Sequence, residues 1–350
     1  MADTFNYRID HHGSLVRPEA LLAAREQYAH GEVDVEALHG AERVAVEDVV
    51  TLQRKLRSTV VTDGDFPRSD FRSAVLDGLT GLKCTGEGVG GLSRWVAESL
   101  PKTDGPLLSD WADTAASLTV IAPKVSLPSP AYLAATCFDP GLAASGGPSS
   151  ARALGEALAE IVHAEIELLV ARGVKLIQLN NPLLLAGVRA EPGAPGTLSF
   201  EDALAVETLA VRLDQRPEGV RIGLCPGWRA PAAVDRARVE RMYGEIPVDR
   251  WILPYDQGTG AELDLIRALP EDRDVCLGVV DATTPELEEI DTVMARIDAA
   301  AEIKDIEDMA LSPSRGFADT AARPLLGAED QRRKLVLVET LARYCWGNEF

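Results

Sequence analysis

The sequence predicts an α/β protein: one domain over residues 1–350, folded as a (β/α)8 TIM barrel with insertions after its second and fourth strands. Three observations lead there. Short apolar, β-branched segments alternate with segments of helical period, eight times over, as in a parallel sheet covered by helices. The length suits one barrel, which takes about 250 residues or more. No GxGxxG follows a strand, which weighs against an open dinucleotide-binding sheet.

Taken in order, residues 12–16 read as the first strand and 18–30 as the helix after it. A longer helix over 35–56 carries Leu38, Ala41, Ala45, Val49, Leu52 and Leu56 on one face. Residues 58–62 read as strand two and 118–125 as strand three. Leu154, Leu158, Ile161, Val162, Ile166 and Leu169 form the next helical stripe, ended by Gly173 as a left-handed cap before strand four at 174–179. Strands at 220–224, 251–253, 275–280 and 309–311 complete the eight, with helices expected over 201–214, 233–243, 261–269 and 285–301. Thr284 before Pro285 reads as a cap followed by proline at the first helical position. A last helix covers 329–344. Two longer excursions remain, 70–110 and 182–199; the second is rich in Gly and Pro and reads as a loop over the barrel mouth.

Composition narrows the class. With 55 acidic against 35 basic residues the net charge is −20, which repels phosphate backbones and anionic membranes, so neither nucleic acid nor membrane is an expected partner. No apolar run is long enough to span a bilayer, and the start, MADTFNYRIDHH, lacks the pattern of a secretion signal, so a cytoplasmic location is expected. The five cysteines (Cys84, Cys137, Cys225, Cys276, Cys345) are odd in number and form no CxxC, which fits reduced thiols. A homo-oligomer is left open.

In such a barrel the chemistry gathers at the carboxyl ends of the strands. The residues there are Ser14 with His11 and His12; Asp63, Asp65 and Arg68; Lys124 and Ser126; Asn180 and Asn181; Cys225; Tyr255 and Asp256; Asp281; and Arg315.

Six runs lie on these ends in order: GSLVRP (13–18), VVTDGDFPR (60–68), LIQLNNP (176–182), GLCPG (223–227), LGVVD (277–281) and LSPSRGF (311–317). They resemble the GSxxRP, TDGE, IQxDEP, HxCxG, LGVVD and SPxCGF signatures of the cobalamin-independent methionine synthase family, over nearly the whole chain and at the size of its short single-barrel members. The resemblance implies a zinc held by the His and Cys of HxCxG, a Glu after the next strand and the Cys of CGF. In this sequence those positions hold Gly223, Cys225, Pro254 and Arg315. Glycine and proline side chains donate nothing to a metal, and an arginine repels it. The expectation is therefore no zinc, and no metal-binding residue. The anionic pair that the resemblance implies for a substrate amino group corresponds to Asp65, one methylene shorter than Glu, and Asn180, which is neutral; Asn181 replaces the following Glu. Homocysteine becomes a poor candidate substrate.

Each residue carries two readings. Arg315 can fork onto a carboxylate or phosphate, or fill the vacated zinc volume and pair with Asp281 or Asp256. Arg68 and Lys124 can extend an anion patch or serve as ion-pair partners. Cys225 can be a nucleophile or a small buried hydrophobe. One of His11 and His12 can act as general acid or base, with His11 preferred, while the other points outward. Asp65 can do acid–base work or, with Asp63, position Arg68. Tyr255 can donate to a developing oxyanion or pack in the core. Ser14, Asn180, Asn181, Asp256 and Asp281 are read as substrate-binding, with Asp281 also open to a structural role.

Three functions follow. The first is a zinc-free transferase or lyase on a small anionic substrate at the barrel mouth; the uroporphyrinogen decarboxylase group, similar in fold, implies that such barrels can work without metal. The second is a methyltetrahydrofolate-dependent methyltransferase to a non-homocysteine acceptor, weakened because PKVSLPSPAY after strand three offers only Tyr132 as an aromatic platform. The third is a non-catalytic binding barrel. No resident cofactor is expected, with methyltetrahydrofolate the one candidate.

Overall fold

The computed structural model describes residues 7–88, 91–108, 113–114, 117–191 and 196–347. Its centre is a curled, seven-stranded parallel sheet built from β1 (Val60–Val61), β4 (Ala122–Pro128), β5 (Leu176–Asn180), β6 (Arg221–Cys225), β7 (Arg250–Pro254), β8 (Asp274–Val280) and β9 (Met309–Pro313), hydrogen-bonded in that order. Outside the sheet run α1 (Glu19–Ala29), α2 (Val35–Lys55), α3 (Ser73–Leu76), α4 (Pro130–Cys137), α5 (Ala151–Ala171), α6 (Phe200–Val211), α7 (Arg236–Glu245), α8 (Gly260–Arg267), α9 (Ile290–Ala301) and α10 (Ala328–Trp346). No helix among the described residues is long and apolar enough to cross a membrane.

The expected first strand at 12–16 is not one. Gly13 adopts φ +113°, which breaks the extended run, and the chain turns over the mouth instead. The extended contact lies earlier. Asp10 N–H donates to Leu311 O (2.9 Å), Leu311 N–H to Arg8 O (2.8 Å), and Thr59 N–H to Ile9 O (3.2 Å). Residues 8–10 therefore touch β9 on one side and the approach to β1 on the other.

Other expectations shift by a few residues. Strand three is displaced toward the C-terminus, at Ala122–Pro128. The Thr284–Pro285 pair does not start a helix, because Thr283 and Thr284 bond back to Asp281; α9 starts at Ile290 behind Glu289. The excursion after β1 contains an antiparallel hairpin, β2 (Thr80–Glu87) with β3 (Ser93–Lys102), that strand-and-helix counting did not foresee. Glu165 on α5 anchors the chain beyond the hairpin by accepting from the N–H groups of Leu107 and Leu108, both at 2.9 Å. The end of that excursion at 109–110, and 192–195 of the second, lie outside the described residues. A short sheet of β10 (Ala318–Thr320) and β11 (Arg323–Pro324) follows β9.

Strand alternation sorts the side chains into two sets. Val125, Leu127, Ile177, Leu179, Ile222, Leu224, Trp251, Leu253, Val275, Leu277 and Leu311 join the main core with the helices. Their neighbours face inside the curl, where small apolar groups meet: Tyr7, Val60 and Leu176, and separately Cys225, Ile252, Cys276 and Ala310. The same interior holds a buried ionic cluster. Lys124 Nζ lies 2.6 Å from Asp10 Oδ1 and donates to His11 O at 2.6 Å, while Arg250 reaches Asp10 Oδ2 at 3.8 Å and donates to Tyr7 O at 3.1 Å. Burial alone would raise the Asp10 carboxyl pKa, but Lys124 and Arg250 outweigh it and hold it below the ordinary value.

Removing one member strands a charge inside the sheet. Lys124→Met is expected to lower unfolding stability by about 3–5 kcal/mol, measured by denaturant titration. Pairing it with Asp10→Asn should recover part of that loss.

Candidate active site at the mouth of the sheet

A cleft of about 320 Å³, open solvent at its mouth included, lies at the carboxyl ends of the strands. His12 and Ser14 reach it from the turn after residues 8–10, Asp65 and Phe71 from the loop after β1, and Asn180 from the end of β5. Trp228 comes from the loop after β6, and Arg315 and Asp319 follow β9.

Two glycines let these loops approach. A Cβ on Gly316 would fall 2.0 Å from Ser14 Oγ, and one on Gly13 would fall 2.6 Å from Ser126 Oγ. The peptide of Phe317 then ties the loops together, its N–H donating to Ser14 O at 3.0 Å.

Asp65 has the left-handed backbone (φ +58°), which aspartate tolerates better than most residues. Arg68 holds it there: Nη1 donates to Asp65 Oδ1 (2.5 Å), and Nη1 and Nη2 donate to the two Asp63 oxygens (3.1 and 2.7 Å). Arg17 clamps the same turn from behind through Asp65 O and Arg68 O. Burial raises the Asp65 carboxyl pKa, Asp63 adds to the rise, and Arg68 and Arg17 oppose it. For Arg68 the two carboxylates prevail over burial and raise its pKa.

Arg315 stacks on Trp228, with its guanidinium carbon 3.9 Å from the ring centroid, and pairs through Nη2 with Asp319. Burial lowers its pKa while Asp319 pulls the other way. Asp281 and Asp256, the partners weighed for it in sequence, are engaged elsewhere: Asp281 accepts from Thr283 N–H and Oγ1 (2.8 and 2.7 Å), and Asp256 from Gln257 (3.0 Å). Trp228 meets Phe71 edge-on at 6.0 Å, and Phe71 lies 5.6 Å from Tyr132, so an aromatic group borders the cleft. The group draws on the loop after β1, helix α4 and the loop after β6.

Of the sequence-derived candidates, Ser14, Asp65, Asn180 and Arg315 meet in the cleft. Arg68 and Asn181 sit one step behind, and Lys124 lies deeper, on Asp10. His11 turns away toward α2, with Nε2 2.8 Å from Gln53 Oε1; burial first, then Lys124, lowers its pKa to about 4. His12 takes the place at the cleft. Tyr255 donates to Arg296 O at 2.8 Å, and burial raises its pKa to about 12. Cys225 donates to Gly227 O at 3.6 Å within its apolar cluster, and burial pushes its thiol up to about 12, so it is protonated at neutral pH. Sequence reasoning passed over Phe71, Gln178, Trp228 and Asp319. Gln178 carried a signal, since a polar residue two before Asn180 in an apolar strand shares its inward face.

The model of the cobalamin-independent synthase catalytic domain matches residues 12–326. The chain belongs to this family. Two curated Bacillus subtilis (strain 168) proteins are similar along nearly their whole length: the uncharacterised YxjH is 29% identical over 97% of this chain and 95% of its own, and the uncharacterised YxjG is 27% identical with the same coverage. Among solved structures, the putative vitamin-B12-independent methionine synthase of Listeria monocytogenes superposes with a TM-score of 0.76 at 23% identity, covering 98% of both chains. A B12-independent methionine synthase from Shewanella sp. W3-18-1, in complex with selenomethionine, gives 0.75 at 16% identity over 97% of both chains. At these identities the structures speak for the fold alone.

Within this synthase-family chain, no group of three or more His, Cys, Asp or Glu among the described residues is placed to hold a metal. At Gly223, which stands where HxCxG has its histidine, a Cβ would come within 2.8 Å of Ile252 Cδ1.

Behind the cleft, Asn181 Nδ2 donates to Glu207 Oε1 on α6 at 2.6 Å, and Ser129 Oγ donates to the same oxygen. Glu207 is fully buried, its Oε2 has no partner, and burial raises its pKa from 4.5 to about 7 despite both hydrogen bonds. A carboxyl whose pKa rises on folding contributes stability at low pH that is lost as pH climbs toward the folded value. Its share of the stability should therefore fall between about pH 4.5 and about 7. Glu207→Gln should remove that slope from a pH series of chemical denaturations; an unchanged slope would assign it to other groups.

Proposed function

We propose that this family member is a zinc-independent transferase or lyase that holds a small anionic substrate at the mouth of a complete (β/α)8 barrel, residues 8–10 serving as the barrel's first strand. The observation that carries the reading is Arg315: where the resemblance implies a metal-ligating cysteine, a guanidinium stacked on Trp228 borders the cleft. The neighbouring ligand positions support it. Gly223 is backed by Ile252, Pro254 offers no donor, and Cys225 is a protonated thiol in an apolar cluster. This donor set does not fit zinc.

Arg315 would bind the substrate anion by charge-assisted hydrogen bonds. Asp65 is the cleft carboxyl that holds its proton more tightly than an ordinary aspartate, so it is the group suited to give a proton to the reacting molecule. Arg68 and Arg17 keep that carboxyl in place. Methionine formation from homocysteine falls outside this reading, because the chain lacks both the metal donors and the anionic pair for an amino group.

A second reading has one observation of its own. The group of Phe71, Tyr132 and Trp228 offers flat apolar surface beside the cleft, against which a folate ring could stack, and this favours methyl transfer from methyltetrahydrofolate to an acceptor other than homocysteine.

Metal analysis of protein purified without added zinc is expected to show no stoichiometric zinc, and zinc titration no tight site. Zinc at one per chain, lost on Cys225→Ala, would overturn the reading. Small dicarboxylates should raise the melting temperature of the wild type, and Arg315→Gln should weaken their binding by roughly 10- to 100-fold, the worth of a charged hydrogen bond. Binding of methyltetrahydrofolate that depends on Phe71 would favour the second reading.

A further inference from the structure

Resting on the anionic-substrate reading above, we propose that His12 and Asn180 complete, with Arg315, a donor-only subsite for a substrate carboxylate, in which His12 serves as a neutral imidazole with its proton fixed on Nε2.

Gln178 lies on β5, buried, with its amide nitrogen 3.3 Å from His12 Nδ1 and 2.7 Å from Asn180 Oδ1. An amide nitrogen has two hydrogens and no lone pair to offer, so it donates to both neighbours. With the Gln178 amide in this orientation His12 Nδ1 is the acceptor, and in a neutral ring the proton goes to Nε2. His12 is 6% exposed and borders the cleft, and its Nε2 is buried without a protein partner. Such an atom asks for a ligand acceptor. The same Gln178 contact occupies Asn180 Oδ1 and leaves the Asn180 amide N–H groups for the cleft.

The ring cannot readily take a second proton. Burial first, then the Lys124 charge, lowers the His12 pKa to about 3. Asp10 pulls the other way, while His11 and Arg315 add to the depression. Its role is thus hydrogen-bond donation rather than acid–base exchange. Three donors of different kinds border one cleft, and the chemistry that satisfies them is an acceptor-only group, a carboxylate. Specificity follows, since a ligand ammonium that met His12 would set donor against donor.

Imidazole ¹⁵N spectra of labelled protein, with the His12 signals assigned by their loss in His12→Phe, read the tautomer directly. Malonate and acetate serve as probes. The expected result is an Nε2-protonated, uncharged ring at neutral pH whose signals move on adding malonate. Malonate binding should be at least about tenfold weaker in His12→Phe, the worth of one hydrogen bond in an enclosed site. Gln178→Glu, which removes no volume, gives a second route: a carboxylate facing Nδ1 should draw the proton there and weaken malonate to a similar degree. An Nδ1-protonated ring in the wild type would overturn the inference, because the cleft would then meet a lone pair. Malonate binding that needs Arg315 but ignores both His12→Phe and Gln178→Glu would also overturn it, while leaving the anionic-substrate reading intact. If no carboxylate binds the wild type, both fall.

Discussion

Asp10 anchors the segment that leads into the cleft. Its carboxylate is enclosed inside the curl of the sheet, 2.6 Å from Lys124 of β4 and within reach of Arg250 of β7. A buried charge of this kind is tolerable only when its partners are in place. It therefore fixes residues 8–10 against two distant strands. Lys124 extends the constraint by bonding His11 O, so the backbone leading to the cleft is pinned on its way out of the sheet. His12 and Ser14 inherit their places from that anchor, and Gly13 gives the turn between them.

The mouth combines rigid and paired groups. Asp65 is held by Arg68 and Arg17, Asn180 by Gln178, and Arg315 by Trp228 and Asp319. Side chains restrained in this way lose little further freedom on binding a ligand. Gly223 and Cys225, by contrast, have hydrocarbon neighbours. Ile252 lies against Gly223, and Cys225 packs with Ile252, Cys276 and Ala310. His12, Asn180 and Arg315 line the cleft beyond them.

The alternation of strands and helices was legible because each strand is apolar on the face that meets the helices, and that periodicity survives in a single sequence. The order of six motifs led to the family, and Ser14, Asp65, Asn180 and Arg315 could be found because they sit on strand ends. The strand expected at 12–16 did not form: Leu15 and Val16 suggested one, but Gly13 has a positive φ. The choice between His11 and His12 had no local signal. Adjacent residues point to opposite sides of an extended chain, and only the docking of α2 through Gln53 shows which side is inward. Phe71 and Trp228 were missed because they lie far apart in sequence and become neighbours only when their loops meet.

The sequence by itself determined the α/β class, the family, and which residues (Gly223, Pro254 and Arg315) stand where the resemblance implies ligands, since these depend on residue type and local period. The tertiary structure decided which groups share a space. It paired Lys124 with Asp10 rather than with the cleft, turned Tyr255 toward Arg296, buried Cys225 as a thiol and left His12 Nε2 buried beside the cleft. Those outcomes depend on burial and on contacts between segments tens to hundreds of residues apart, and such contacts leave no period in the chain to be read.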